Sequence, residues 1–271
     1  MSTSHYIIRG GIEGRERLRL LARVMQPTTL QLLERAGVTE GMAWLDVGCG
    51  GGDVTLDFAR MVGPTGRAVG TDIDDTKLGM ARTEAADRGF SNAEFQLVDA
   101  GNSEIEGEFD IVYSRFLLTH LPDPSPALSR MYAALRPGGV LIIEDIDFTG
   151  SFCYPENVAY NRYVTLYSES VLKRGGDPNI GPRLPGMLAA AGCEYIQMNV
   201  VQPSGLTGEA KLVTPLTMEN IADAAVDENL AEKTEVEALV STLYGLARDT
   251  ITVMAIPRIV QAWGLRPQTA F

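Results

Sequence analysis

Cysteine and basic residues are scarce in this sequence of 271 residues, and each shortage excludes a class of protein. The three cysteines, Cys49, Cys153 and Cys193, are too widely spaced for a CxxC pair or a cluster of metal ligands, so we expect neither disulfide bonds nor a metal site. Lys and Arg number 23 against 35 Asp and Glu, and the formal net charge of −12 repels nucleic-acid phosphates. We therefore expect no nucleic-acid partner.

Long apolar runs are also missing. The longest, residues 139–143 and 251–256, are too short to cross a bilayer, and the N-terminal stretch carries charged side chains in place of the apolar run of a signal peptide. These features predict no membrane association and a cytoplasmic location. Apolar residues make up 45% of the chain, whose length suits one domain with a full core.

Short apolar runs alternate with amphipathic patterns as far as residue 146. Strands are predicted at 43–47, 68–72, 94–98, 109–113 and 140–145, with helices at 53–61, 76–88 and 126–135. This alternation favours parallel strands joined by crossover helices, hence a doubly wound α/β sheet. One or two helices, with a break or kink near Pro27, precede it at 14–37.

Beyond residue 148 the regular alternation of strands and helices ends. Helices are predicted at 157–173, 217–226 and 232–247, with a shorter one ending at Gly192, and strands at 195–202 and 250–263. The last two strands would add an antiparallel edge. The prediction is thus one seven-stranded sheet with six parallel strands, the last strand being antiparallel.

The glycine-rich segment LDVGCGGGDVT, residues 45–55, carries the strongest functional signal. Its glycines follow an apolar strand and open a helix, where they let the backbone approach a ligand at the carboxyl end of a sheet. The dinucleotide fingerprint GxGxxG would need glycine at position 53, where this chain has Asp53, and that carboxylate would repel a pyrophosphate. The segment therefore suits a nucleoside ligand that lacks phosphate.

Carboxylates stand at the ends of three successive predicted strands. Asp46 precedes the glycines, Asp72 ends the second strand, and Asp99 ends the third, followed by Ala100. A carboxylate at the place of Asp72 accepts hydrogen bonds from two ribose hydroxyls, which would also suit NAD.

With these residues, and with FDIVYSRFLLTHL and LRPGGVLIIED at the fourth and fifth strands, the sequence resembles the class I S-adenosylmethionine-dependent methyltransferases. The likeness is to the small-molecule groups, UbiE-like and methyltransferase types 11 and 25, and it implies a Rossmann-like fold. It places Asp46 beneath the amino acid end of the cofactor, Asp72 at the ribose and Asp99 at the adenine. The cofactor-binding residues that it implies are Tyr6, Asp46, Gly48, Cys49, Gly50, Asp72, Ile73, Asp99, Ala100, Ser114 and Arg115.

The resemblance also implies a division of the single domain, residues 1–271. Residues 1–41 would form a helical lid, in which Tyr6 or Arg9 closes over the cofactor carboxylate. Helical insertions at 149–191 and 204–249 would form the substrate cap.

Candidates for the chemistry follow the fourth and fifth strands. His120, one of two histidines, either accepts a proton from the substrate or packs against the helix that begins near Asp123. Glu144, Asp145 and Asp147 could act as bases, although for each a solvated strand end is favoured. The tyrosines at near-helical spacing either line a pocket over the sulfonium or belong to a core helix; they are Tyr154, Tyr160, Tyr163 and Tyr167.

The expected activity is methyl transfer from S-adenosylmethionine to an oxygen, nitrogen or carbon of a small, partly hydrophobic metabolite, with S-adenosylhomocysteine as product. Alternatives are a non-catalytic S-adenosylmethionine-binding protein, an RNA methyltransferase and a nicotinamide oxidoreductase. The long final strand and the capping helices could support a homodimer.

Overall fold

The computed structural model describes the main chain of residues 11–268 and the side chains of residues 14–268. The strands within this range are β1 Ala43–Val47, β2 Arg67–Asp72, β3 Ala93–Leu97, β4 Phe109–Arg115, β5 Leu135–Asp147, β6 Cys153–Tyr154, β7 Glu194–Val201, β8 Ser204–Gly205, β9 Val253–Ala255 and β10 Arg258–Leu265. The α-helices are α1 Gly11–Arg35, α2 Asp53–Val62, α3 Asp75–Asp87, α4 Ser125–Ala133, α5 Val158–Lys173, α6 Leu184–Ala191, α7 Glu209–Asp227 and α8 Lys233–Arg248.

The main sheet has the strand order β3-β2-β1-β4-β5-β10-β7. β10 runs antiparallel to both of its neighbours, and the other six strands are parallel. The predicted fold class, with six parallel strands and an antiparallel last strand, is therefore confirmed. The chain builds β1, β2 and β3 outward in one direction and then returns to place β4 and β5 on the other side of β1. Ligands of doubly wound sheets bind at such a reversal, beyond the carboxyl ends of the strands.

Side chains alternate between the two faces of the sheet, as the period of two in a strand requires. Leu45 and Val47 of β1 pack in one apolar cluster, while Trp44 packs in the cluster on the opposite face. In β5, Ile143 and Ile142 divide in the same way. Both faces are covered, so the carboxyl edge is where the sheet remains open to a ligand.

A further apolar cluster joins α1 to the helices α5, α7 and α8. Side chains of α5, α7 and α8 pack in it together with Leu21 and Met25 of α1 and Ile146 of β5. α6 instead packs on the sheet through Leu184 and Leu188. This cluster places α1, α5 and α7 over the carboxyl edge.

The buried Lys211 ties the ends of the α7–α8 segment together. Its Nζ donates to the main-chain carbonyl oxygens of Leu206, Asp249 and Thr252, at 3.0 Å from the first and 2.7 Å from the last. These three acceptors satisfy an ammonium group that would otherwise be costly to bury.

Two predictions concern segments that contain a proline. α1 continues through Pro27 as one helix to Arg35, which was one of the two alternatives. The prediction of a single strand over 250–263 is wrong, because the chain leaves one sheet and enters another at Ile256 and Pro257. Proline has no N–H to donate to a strand ladder. β9 pairs with β6 and β8 in a small sheet before Pro257, and β10 joins the main sheet after it.

No helix among residues 11–268 combines the length and the apolar character needed to cross a bilayer.

Candidate functional site

A cavity of about 1020 Å³ lies at the carboxyl edge of the sheet, below α1. Pockets for small molecules typically range from about 300 to 1,000 Å³, so the space suits a nucleoside-sized ligand together with a second small molecule. Of the residues predicted for binding and catalysis, those that line it are Asp46, Gly48, Cys49, Gly50, Asp72, Ile73, Asp99, Ala100, Arg115 and His120. Tyr6 and Arg9 lie outside the described residues.

The glycine loop after β1 forms the floor of this cavity. Gly48 and Gly50 have φ angles of 77° and 57°, in the left-handed region that residues with a Cβ disfavour. The main-chain N–H groups of Gly48 and Cys49 both donate to the carbonyl oxygen of Thr71, at 2.8 Å. The loop is thus fastened to β2, and its residues Gly48, Cys49 and Gly50 line the cavity.

Asp72 at the end of β2 organises the next part of the wall. Its Oδ2 accepts from the N–H of Gly50 at 2.8 Å, and its Oδ1 accepts from the N–H of Asp74 at 2.9 Å. Each carboxylate oxygen has two lone pairs. One acceptor site on each oxygen therefore remains for a pair of adjacent hydroxyl groups.

Asp46 lies beneath the loop and is only 2% exposed. Its Oδ2 accepts from the hydroxyl of Thr55 at 2.7 Å. Burial raises the pKa of Asp46 to about 7, against the opposing effects of the Thr55 hydrogen bond and the charge of Arg115. A positive charge on a bound ligand would favour the ionised carboxylate.

Asp99 follows β3 and is the third of the predicted carboxylates. Its Oδ1 accepts from the N–H of Gly101 at 2.9 Å, and its Oδ2 accepts from the amide of Asn102 at 2.8 Å. Ile73, which is 69% exposed, and Ala100 line the same part of the cavity. Apolar side chains beside a carboxylate suit a flat ring that carries an amino group.

The negative charge of Asp53, at the start of α2, is compensated by an arginine of α1. Arg15 of α1 forms an ion pair with Asp53 and a second one with Glu84 of α3, at 2.7 Å. Arg15 is buried, and its guanidinium lies against Gly51 so closely that a Cβ there would overlap it. This ion-pair network holds α1 over the glycine loop.

Arg115 and Ser114 at the end of β4 have different roles. Arg115 lines the cavity, and its Nη1 donates to the hydroxyl of Thr29 at 3.4 Å. The buried Ser114 donates to the carbonyl oxygen of Val47 at 2.8 Å, and its side chain fastens β4 to β1 outside the cavity.

His120 ends a short 3₁₀ turn, Leu118–His120, and is 5% exposed. Burial, together with the charges of Arg17, Arg174 and Lys77, lowers the pKa of His120 to about 3. The imidazole is therefore neutral at pH 7 and a weak base. It suits hydrogen bonding to a nucleophile better than removal of its proton.

The interpretation of Glu144, Asp145 and Asp147 as a solvated strand end is wrong, because all three are buried. Glu144 accepts from the hydroxyl of Tyr113 at 2.6 Å and from the amide of Gln261 at 2.8 Å. Asp145 accepts from two main-chain N–H groups, and Asp147 pairs with an arginine of β10. None of the three lines the cavity, so they stabilise strand ends where we expected possible bases.

Of the four tyrosines that we expected either in a pocket or in a core helix, two line the cavity. Tyr163 and Tyr167 line the cavity, and Tyr167 stacks on Phe148 with ring centroids 4.0 Å apart. Tyr160 is a core residue whose hydroxyl donates to a carbonyl of β9, and Tyr154 is exposed. The helical spacing alone could not separate these positions, because it does not show which face meets the cavity.

The sequence analysis missed Arg17 of α1 and Thr217 of α7. Arg17 is only 7% exposed, lines the cavity and donates from Nε to the hydroxyl of Thr217 at 3.0 Å. A signal existed, since Arg17 adjoins the apolar stripe of α1 that includes Leu18 and Leu21. Its partner is 200 residues away in sequence, so the contact itself could not be anticipated.

Comparisons with known proteins agree with this geometry. Residues 38–174 match the methyltransferase domain family. The ubiquinone/menaquinone biosynthesis C-methyltransferase UbiE of Teredinibacter turnerae is 34% identical over 146 residues, which are 53% of this chain and 56% of that relative. The chain thus matches about half the length of this curated relative.

Solved structures share the fold at low identity. Phosphoethanolamine N-methyltransferase 2 of Haemonchus contortus, in complex with phosphomonomethylethanolamine and S-adenosylhomocysteine, has a TM-score of 0.58 and 17% identity, over 92% of this chain and 56% of that one. The [4+2]-cyclase SpnF has a TM-score of 0.54 and 20% identity, over 89% of this chain and 81% of that one. Such identities show the fold alone, and the fold serves more than one reaction.

Proposed function

We propose that this chain, which belongs to the methyltransferase domain family, transfers the methyl group of S-adenosylmethionine to a small molecule. The observation that carries the proposal is one cavity in which Asp46, Asp72 and Asp99 stand at the ends of adjacent parallel strands around a glycine loop.

The donors and acceptors of this wall fit S-adenosylmethionine. The remaining acceptor sites on Asp72 suit the two ribose hydroxyls, and Asp99 suits the exocyclic amine of adenine. The buried Asp46 suits the positively charged methionine end. Asp53 stands where the dinucleotide fingerprint has its third glycine, which argues against a nicotinamide oxidoreductase.

The sulfonium supplies an already activated methyl group, so the protein has to align the acceptor and exclude water. α1 covers the cavity and is held there by Arg15. We propose that the neutral His120, which lines the cavity, orients the acceptor atom and that the aromatic faces of Phe148 and Tyr167 favour a nearby cation. The chain thereby aligns the donor and the acceptor in one covered space.

The acceptor is proposed to be a small, partly hydrophobic molecule, because apolar and aromatic side chains dominate the part of the cavity opposite the carboxylates. A nucleic-acid substrate is disfavoured by the net charge of −12. The cytoplasmic location and the homodimer stay predictions from the sequence.

Calorimetric titration tests the cofactor. We expect wild-type protein to bind S-adenosylmethionine and not NAD. Asp72→Ala should weaken binding by about 1.5–3 kcal/mol, because it removes charge-assisted hydrogen bonds to the ribose. Asp87→Ala removes the same charge from an exposed position of α3 outside the cavity and should leave binding unchanged.

Turnover is tested separately, with S-adenosylmethionine carrying a labelled methyl group and a pool of small metabolites. Appearance of labelled product together with S-adenosylhomocysteine supports the proposal. A folded protein that does not bind S-adenosylmethionine refutes it. Binding without any turnover favours a non-methylating use of the fold.

A further inference from the structure

The two walls of the cavity differ in charge. The wall at the strand ends is rich in carboxylates. The opposite wall is built from α1, α5, α7, the turn at Phe148 and the segment around Pro257. Its side chains are apolar or neutral except for Arg17; they include Phe148, Tyr163, Tyr167, Val213, Thr217 and Ile259. Arg17 is thus the one charged side chain of that wall within residues 14–268.

Among the side chains of residues 14–268, Arg17 contacts no carboxylate, unlike its neighbours on α1. Arg15 pairs with Asp53, and both Arg15 and Arg19 pair with Glu84. For Arg17, the contact among the described side chains is the 3.0 Å hydrogen bond from its Nε to Thr217. The donors at the other end of its guanidinium remain for a ligand in the cavity.

A guanidinium that is 93% buried without a carboxylate is costly, because burial removes water from a full positive charge. A bound anion would offset that cost and could accept two parallel hydrogen bonds from the planar fork of the guanidinium. The charge of Arg17 already acts within the cavity, since it helps to lower the pKa of His120.

The neighbours of Arg17 place it on the acceptor side of α1. On one side of the helix, Arg15 and Leu18 face the glycine loop, where a Cβ at Gly50 would lie 3.1 Å from Leu18. Arg17 instead bonds to Thr217 of α7. Arg115 belongs to the wall at the strand ends, because it lies at the end of the strand next to β1 and its charge acts on the pKa of Asp46.

We propose that Arg17 binds a carboxylate or phosphate group of the methyl acceptor, so that the acceptor is a small anion with an apolar or aromatic body. This inference rests on the proposed function, because it assumes that the wall opposite Arg17 holds the cofactor. Phe148 and Tyr167 would contact the apolar body, and Arg17 would fix its orientation.

The test uses the full chain saturated with S-adenosylhomocysteine and titrated with three probes, benzoate, phenyl phosphate and the neutral benzamide. NMR titration should show that at least one anion binds about tenfold more tightly than benzamide. The stronger of the two anions distinguishes a carboxylate from a phosphate acceptor.

Variants then assign the preference to Arg17. Arg17→Gln should abolish the preference for the anions over benzamide. Arg17→Lys retains the charge but loses the planar guanidinium with its two parallel donors, and it should reduce the preference severalfold. Arg23→Gln is the matched control, because it removes an exposed arginine of the same helix outside the cavity and should leave the preference intact. If Arg17→Gln does not fold, the wild type and Arg17→Lys still decide the question.

Two results would overturn the inference. One is a wild-type protein that binds benzamide as well as both anions. The other is an Arg17→Gln variant that retains the anion preference; if this variant also loses about tenfold in affinity for S-adenosylhomocysteine, Arg17 binds the cofactor carboxylate instead. The titrations are repeated without S-adenosylhomocysteine, so that a failure to bind the cofactor is recorded apart from the anion preference.

Discussion

Binding of S-adenosylmethionine should release a proton from Asp46. This carboxyl group lines the cavity, and burial raises its pKa to about 7 in the free protein. A unit positive charge about 5 Å away, at an effective dielectric constant of about 20, favours the carboxylate by about 3 kcal/mol, or about two pKa units. The methionine end of the cofactor carries two such charges, the sulfonium and the ammonium, against one negative charge on its carboxylate, so its net charge is positive.

The magnitude follows from the protonated fraction of the free protein. A group with a pKa of about 7 is about half protonated at pH 7 and about nine-tenths protonated at pH 6. If the bound cofactor lowers this pKa by about two units, binding releases about 0.5 proton at pH 7 and about 0.8 proton at pH 6. Because the bound state holds fewer protons, affinity should rise with pH up to about 7 and then level off.

The release is measured by calorimetry in buffers of different ionisation enthalpy at both pH values. Asp46→Asn should abolish the release, because an amide side chain does not titrate. Asp145→Asn is the matched control, because burial also raises the pKa of Asp145 to about 7 but this side chain lies outside the cavity. A release that is absent in the wild type, or that persists in Asp46→Asn, would refute this account of the site.

Two further predictions concern packing. Lys211→Met should lower the free energy of unfolding by about 3 kcal/mol, because three buried carbonyl oxygens lose their donor, whereas Lys233→Met at an exposed position should have almost no effect; urea denaturation measures both. Gly70→Ala places a Cβ 2.8 Å from the hydroxyl of Thr55 and should cost about 1–3 kcal/mol and weaken cofactor binding, while Gly79→Ala in the open space of α3 should stabilise by about 0.5–1 kcal/mol. Equal effects of the two alanines would contradict this packing.

The sequence predicted the carboxylate-rich wall of the cavity because its parts are local. Each carboxylate stands at the end of an apolar strand, and the carboxyl ends of parallel strands meet at one edge of a sheet. The order of Asp46, Asp72 and Asp99 along the chain was therefore enough to bring them together. The match of residues 38–174 to the methyltransferase domain family confirms the resemblance drawn from these residues.

The opposite wall could not be predicted, because it depends on contacts between distant segments. Arg17 meets Thr217 only when α1 and α7 pack together. Burial of the acids at the end of β5 was missed for the same reason, since Gln261 and Tyr113, which satisfy Glu144, lie on the neighbouring strands. A local pattern of acidic residues at a strand end does not show what will cover it.

The most direct test of the central claim is a crystal structure of the protein with S-adenosylhomocysteine. The account predicts that both ribose hydroxyls donate to the carboxylate of Asp72 and that the adenine amine lies at Asp99. A nucleoside bound elsewhere, or bound in this cavity without contact to Asp72, would contradict it.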